Sequence, residues 1–299
     1  MTRYINPYTD FGFKKLFGEE ANKDLLIDFL NAVLPPENKI AHLEFRNTEQ
    51  LPDNIIDRKA VFDIACTGES GQSFTVEMQK AKQLFFKDRA LFCSAFPIQR
   101  QAQKGDWNFQ LNPVFLVAVL DFEYDEQEER RKIYRLVSLK DQDGDEFTDR
   151  LKMVFLQMPL FTLTESELAS QKDKWLFFLK NLESFDNIPN VLRLPVFEKA
   201  FETAEYIKYS PAMQEAYQNN LKIYRDNRNV VETAYIEGEA KGYIDGEAKG
   251  KAEGFIEGEA KGRDERNIEI ARSMKTEGFD VAIIAKVTGL TPEEIGDRI

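Results

Sequence analysis

The apolar positions of this chain change their period several times, and each change predicts a different element. Over residues 24–34, Leu25, Leu26, Phe29, Leu30 and Val33 recur at helical spacing, and Pro35-Pro36 ends the run. Residues 40–46 and 60–66 read as strands. Gly68-Glu69-Ser70-Gly71 is a turn, and residues 73–79 form the next strand. Residues 82–104 lack glycine and predict a long helix that Pro97 kinks or splits. Residues 114–122 are so continuously apolar that they predict an interior strand, and 133–139 and 152–161 predict two more. Beyond Thr164 the spacing turns helical, over 165–183, 195–208 and 211–228. The pattern is that of an α/β core with a helical C-terminal extension.

Two later tracts break this pattern. Gly238, Gly242, Gly246, Gly250, Gly254, Gly258 and Gly262 recur every four residues, and Glu-Ala-Lys-Gly appears at 239–242, 247–250 and 259–262. Glu and Lys favour a helix, whereas each glycine costs about 1 kcal/mol relative to alanine there. Such a tract serves either as a solvated, marginally helical linker or as a smooth ridge for a second helix. After it, Asp280 caps a short helix, Thr288-Gly289-Leu290 turns, and Thr291-Pro292-Glu293-Glu294 carries a cap, a first-turn proline and a capping-box glutamate. This ending resembles a helix-turn-helix. Its last helix begins with Glu293, Glu294 and Asp297, the wrong charge to face phosphates, so packing, oligomerisation or self-regulation is expected ahead of DNA reading. The expected organisation is a core at 1–162, a helical region at 163–230, the glycine-repeat tract at 231–265 and a small helical segment at 266–299.

Composition narrows the chemistry. A hydrophobic content of 42% with 24 Phe supports a substantial core. No apolar run reaches the roughly 18–20 residues of a membrane span, and Met1-Thr2-Arg3-Tyr4 lacks a signal-peptide stretch, so a cytoplasmic protein is expected. Cys66 and Cys93 provide neither a disulfide framework nor a zinc cluster, and His42 is the only histidine. A net charge of −12 argues against coating nucleic acid by charge alone. One stretch is nevertheless basic: Lys80, Lys82, Lys87, Arg89, Arg100 and Lys104, with Asp88 the main opposing charge. It begins where the strand at 73–79 ends.

That strand and its predecessor carry the candidate chemistry. A hairpin centred on Ser70 opposes Phe62 to Met78, Ile64 to Val76 and Cys66 to Phe74, making one face wholly apolar. The other face opposes Val61 to Gln79, Ala65 to Thr75 and Asp63 to Glu77. Like charges directly opposed on a sheet are destabilising. Three remedies exist: protonating one carboxyl, pairing with a cation such as Lys14 or Arg89, or a hard divalent cation such as Mg²⁺. Gln79, on the same face, is placed to orient a water. A third carboxylate for a different divalent-metal chemistry would have to come from Asp121 or Glu123, at the end of a strand. No phosphate-binding glycine loop of the P-loop type is present.

The run Phe62-Asp63-Ile64, then Phe74-Thr75-Val76-Glu77-Met78-Gln79, Arg89 and Gln101-Ala102-Gln103-Lys104-Gly105, resembles the recombination-promoting nuclease (Rpn) group of PD-(D/E)xK nuclease family transposases. So do Asp10-Phe11-Gly12-Phe13-Lys14 and the ending Gly289-Leu290-Thr291-Pro292-Glu293-Glu294-Ile295. The resemblance is densest over residues 3–125. It implies a restriction-endonuclease-like fold, a mixed central sheet flanked by helices. It also implies Asp63 as the motif aspartate and Glu77 as the second acidic metal ligand, with the Met78 carbonyl lending an oxygen. Two departures stand out: Gln79 replaces the usual lysine, and Phe62 rather than proline precedes the aspartate.

The implied activity is a DNA endonuclease of low sequence specificity that uses Mg²⁺, with Mn²⁺ as substitute, in recombination, mobile-element movement or phage defence. Lys14, Lys80, Lys82, Lys87 and Arg89 would contact the DNA backbone, and the glycine tract or the C-terminal segment would support a homo-oligomer. The alternative is a nuclease-derived interaction module without turnover, which the acidic balance and Gln79 both favour.

Overall fold

A computed structural model describes residues 2–46, 49–50, 60–61, 63–124, 127, 129 and 131–298. Two compact units are present, Met1–Val231 and Glu232–Ile299. In the first, α1 (Asp10–Phe17) and α2 (Lys23–Val33) precede β1 (Leu43–Phe45), β2 (Glu49–Gln50), β3 (Ala60–Val61), β4 (Ile64–Gly68) and β5 (Ser73–Gln79). Next come α3 (Phe86–Gln99), β6 (Val114–Leu120), β7 (Tyr134–Lys140), β8 (Glu146–Gln157), α4 (Gln171–Asn181) and α5 (Pro195–Ala204). The start of α6 (Pro211–Thr276) completes the unit.

The main sheet has six strands in the order β1-β4-β5-β6-β8-β7. β4 and β5 form the antiparallel hairpin, while β5, β6 and β8 run parallel. The parallel centre follows from composition: every residue of β6, Val-Phe-Leu-Val-Ala-Val-Leu, is buried, as a strand covered on both faces must be. Phe74, Val76, Met78, Phe115, Val117, Val119, Val154 and Leu156 point to one face and merge with α1, α2, α4 and α5 into a single core. Trp175 sits within it against Phe17, Phe29 and Phe197, and its indole N–H donates to Asp28 Oδ1 at 2.6 Å. That bond satisfies a polar group that would otherwise be buried unpaired. On the other face Leu116, Ala118, Leu120, Phe122 and Phe155 meet Phe86 and Ala90 of α3, with Tyr124, Val137 and Met153 packed at the margin, a much smaller cluster.

The N-terminal segment explains one motif glycine. Thr9 caps α1, its Oγ1 accepting from the Gly12 amide at 2.9 Å. A Cβ on Gly12 would lie 2.2 Å from the carbonyl oxygen of Asn6, so no larger residue fits this tight start.

Several elements differ from expectation. The strand expected over 60–66 is broken at Asp63: Ala60–Val61 pairs instead with Glu49–Gln50 in a separate ribbon. Val61 therefore faces Glu49 and not Gln79; Phe62 lies outside the described residues. The long helix expected over 82–104 is only Phe86–Gln99, with Pro97 in its last turn, where the missing amide removes a helical hydrogen bond and the helix ends two residues later. The strand expected over 152–161 begins earlier, at Glu146, because β7 reaches back to pair with it as a hairpin. The helix expected over 165–183 starts only at Gln171, where Ser170 and Asp173 form a capping box.

The second unit contains most of the glycine tract, which is helical throughout: α6 runs for 66 residues. A Cβ added at any of its seven tract glycines would meet nothing within 4 Å. Glu247–Lys251 and Glu257–Lys261 ion pairs, at 2.6 and 2.7 Å, follow the i,i+4 spacing that offsets part of the glycine cost. Its end forms a small cluster with α7 (Val281–Thr288) and α8 (Pro292–Arg298), built on Ala271, Ile284, Leu290 and Ile295. Asp280 caps α7, Gly289 closes it at φ 75°, and Thr291 exchanges hydrogen bonds with Glu294. Among the described residues, no helix is long and apolar enough to cross a membrane.

Candidate active site

Alternation along β5 puts Thr75, Glu77 and Gln79 on the α3 side of the sheet, opposite the large core. The observed hairpin register pairs Ile64 with Val76, Ala65 with Thr75 and Cys66 with Phe74, as the apolar alternation predicts. Asp63, one step further, leaves the ladder. Its Oδ2 accepts a hydrogen bond from the Met78 amide at 2.6 Å, so a side chain takes the place that a strand carbonyl would hold. β4 therefore begins at Ile64, and the Asp63 carboxylate is fixed beside the C-terminal end of β5.

Glu77 is opposed on β6 by Ala118, whose small side chain leaves room above the strand. Only 6% of Glu77 is exposed. Its Oε2 accepts from Gln79 Nε2 at 2.7 Å, while its Oε1 is buried without a hydrogen-bond partner. Burial raises the Glu77 carboxyl to about 7; the neighbouring Asp63 charge adds to the rise, and Arg89 and the Gln79 amide oppose it. The Asp63 carboxyl is raised as well, chiefly by burial. The Met78 amide, Lys14 and Lys80 pull it down, and Asp10 pushes it up.

Asp63 also lines a cleft of about 430 Å³ with Asp10, Lys14, Lys15, Arg46 and Asn220. Lys14 pairs with Asp10 at 3.3 Å one helical turn earlier. Asp10 thus belongs to the electrostatics of the site, although the sequence marked it only as part of a motif. The visible signal is its i,i+4 spacing to Lys14 on a helix whose buried face is apolar. Arg46 is a second cleft residue that sequence reasoning missed.

The basic stretch divides. The charge of Lys80 helps to lower the Asp63 carboxyl, and that of Arg89 opposes the rise at Glu77 while its guanidinium donates to Gln83 Oε1 at 2.9 Å. Lys82 is exposed in the segment between β5 and α3, and Lys87 lies 5.3 Å over the Tyr124 ring. Arg100 and Lys104 follow the far end of the 14-residue α3, about 20 Å away along its axis. Asp121 and Glu123 do not join the pair: Asp121 accepts from the Tyr224 hydroxyl at 2.7 Å, and Glu123 pairs with Arg131 at 3.2 Å. Among the described residues no group of three or more His, Cys, Asp or Glu is gathered to hold a metal. The site offers two carboxylates, a number that suits Mg²⁺ completed by waters and substrate phosphate.

Comparison with known families places this geometry. The model of the PD-(D/E)XK nuclease family transposase matches residues 7–234, and that of the Rpn/YhgA-like nuclease family C-terminal HTH domain matches residues 264–297. Neither a curated protein nor a solved structure matches the chain. The matched span holds the hairpin, α3 and the parallel centre, and its mixed six-stranded sheet flanked by helices is a restriction-endonuclease-like fold. The chain belongs to the PD-(D/E)XK nuclease family transposases.

Proposed function

We propose that this protein is a divalent-metal-dependent DNA endonuclease of low sequence specificity, acting in the cytoplasm in recombination, mobile-element movement or defence against phage. The observation that carries this reading is the buried, unpartnered Glu77 Oε1 beside the Asp63 carboxylate. A protein pays to bury two carboxyls together, and an orphaned buried oxygen calls for a cation.

The residues fit a hard divalent ion. Asp63 and Glu77 would hold Mg²⁺ or Mn²⁺, with the Met78 carbonyl as a further oxygen donor. Such an ion supplies acidification of water and neutralisation of charge on the scissile phosphate. The rest falls to the chain itself. Gln79, held against Glu77, positions a water at the site and cannot act as an ammonium would. Lys14, Lys80, Lys82, Lys87 and Arg89 bind the phosphate backbone, contacts that set position and carry no sequence information. A second reading, an interaction module without turnover, draws on Gln79, whose amide is already engaged by Glu77.

Supercoiled-plasmid nicking separates the two. Nicking by the full chain is expected with Mg²⁺ or Mn²⁺ and not with EDTA. Asp63→Ala and Glu77→Ala should each lower it by at least about 10³-fold, as expected when a transition-state interaction is removed. Mg²⁺ should also raise the melting temperature of the wild type and not of Asp63→Ala. Nicking that survives both substitutions, or no nicking with any metal, overturns the endonuclease reading.

A further inference from the structure

The segment that leaves the candidate active strand exposes large apolar side chains where a soluble protein would ordinarily hide them. Leu84 is 90% exposed and Phe85 67%, and further along α3 Phe92 is 49% exposed. Phe85 opens α3, its carbonyl accepting the Arg89 amide at 2.9 Å. Residues at i, i+4 and i+7 share a helix face, so Phe85, Arg89 and Phe92 lie one above another. Phe96 continues the stripe, its ring 4.9 Å from that of Phe92. The adjacent stripe, Phe86, Ala90 and Cys93, is the buried one that anchors the helix to the sheet.

Three observations identify what would cover this stripe. The cation at its centre, Arg89, is the one whose charge reaches Glu77. Lys80 and Lys82 precede it in the chain, Arg89 lies between its two rings, Asp88 on the first turn is the one opposing charge beside them, and Lys87 turns away to lie over the Tyr124 ring. Aromatic rings interleaved with cations are the combination that holds an unpaired nucleic-acid strand, with bases stacked on rings and phosphates on cations. A duplex keeps its base faces stacked on one another, and reaching them would cost the unstacking of a step. Phe85 and Phe92 are about 10 Å apart along the helix axis, the length of about three stacked bases.

We infer that the exposed Phe85–Arg89–Phe92 stripe of α3 is a base-stacking platform that feeds single-stranded DNA to the Asp63–Glu77 pair, so that the substrate class is DNA with unpaired bases. This rests on the endonuclease reading above for the site, and on the stripe alone for the preference.

Fluorescence anisotropy on the full chain tests it, using a labelled oligothymidylate and a duplex of the same length, with EDTA present. The wild type should bind the single strand more tightly than the duplex. Phe85→Ala and Phe92→Ala should each weaken single-strand binding by roughly 5- to 100-fold and narrow the ratio between the two forms. Phe85→Trp should retain the ratio, and its emission should be quenched on binding. Ile207→Ala, an exposed apolar position away from the stripe, should change neither affinity. Both phenylalanines are substantially exposed, so alanine leaves the core intact.

Equal or tighter duplex binding by the wild type, or an unchanged ratio in the double alanine variant, overturns the inference. So does a wild-type dimer that the double variant dissociates without loss of single-strand affinity, since a second copy would then cover the stripe. Plasmid nicking keeps the two claims apart. Asp63-dependent nicking with an unchanged ratio defeats the platform and leaves the endonuclease standing, whereas neither nicking nor binding defeats both.

Discussion

β5 sends Phe74, Val76 and Met78 to one face of the central sheet and Thr75, Glu77 and Gln79 to the other, and the two faces are built for different purposes. On the first, Phe74 stacks on Phe115 with centroids 5.2 Å apart, inside a core that draws on four helices before α6. On the second, two raised carboxyls share the space with a small apolar cluster under a single helix. A strand alternates its side chains, so one run of seven residues serves both faces. The lesson is one of division of labour. The apolar face supplies the stability that lets the polar face keep a buried carboxylate with no partner on Oε1.

Substitutions on the two faces should therefore move stability in opposite directions. Phe115→Ala, at a fully buried position of the apolar face, should cost about 3–5 kcal/mol, seen as a lower denaturant midpoint at unchanged slope. A loss under about 1 kcal/mol would mean that this face is not close-packed and would remove the basis of the comparison.

Glu77→Gln should stabilise the metal-free protein. The folded carboxyl is raised from 4.5 to about 7, so the folded state holds its proton more tightly than the unfolded chain does. Stability should then fall as pH climbs from about 4.5 to about 7 and stay level above that, a total of about 3 kcal/mol. The glutamine variant lacks that charge and should escape this loss, while its nicking is abolished. The measurement is urea denaturation of both proteins across that pH range in EDTA. A variant less stable than the wild type at pH 8 would show that the Glu77 carboxylate is a structural asset.

How much of this was legible follows from what is local. The hairpin register was readable because Ile64, Cys66, Phe74 and Val76 alternate with the pleat, and a slip of one residue would have mixed the faces. The Thr291–Glu294 capping box was readable for the same reason, since its partners are three residues apart. The break at Asp63 was not: it depends on a carboxylate choosing a backbone amide across the hairpin, which no spacing announces. The start of α3 was obscured because Phe85, its N-cap, makes no side-chain capping bond, and its exposed Leu91 and Phe92 blur the apolar periodicity. Asp10 and Arg46 were missed because the cleft that unites them with Asp63 is made by folding. The glycine tract stayed open between linker and helix because its Glu and Lys favour a helix while its glycines oppose one, and i,i+4 pairing offsets only part of that cost.

The smallest expected effect lies at the margin of the polar face. Lys82 is exposed between β5 and α3, and the contribution proposed for it is that of its charge alone. Lys82→Ala should leave thermal stability within about 0.5 kcal/mol, as surface changes usually do. It should weaken binding to all DNA sequences by similar factors and reduce the slope of log affinity against log salt by about 1, the share of a single neutralised phosphate. Titrating salt against affinity for wild type and variant reads this directly. An unchanged slope would place Lys82 off the DNA path and confine phosphate binding to the cations nearer the carboxyls, Lys14, Lys80 and Arg89. A slope reduced by much more than 1 would mean that Lys82 holds the segment that carries its neighbours, making the boundary between the two faces a moving part.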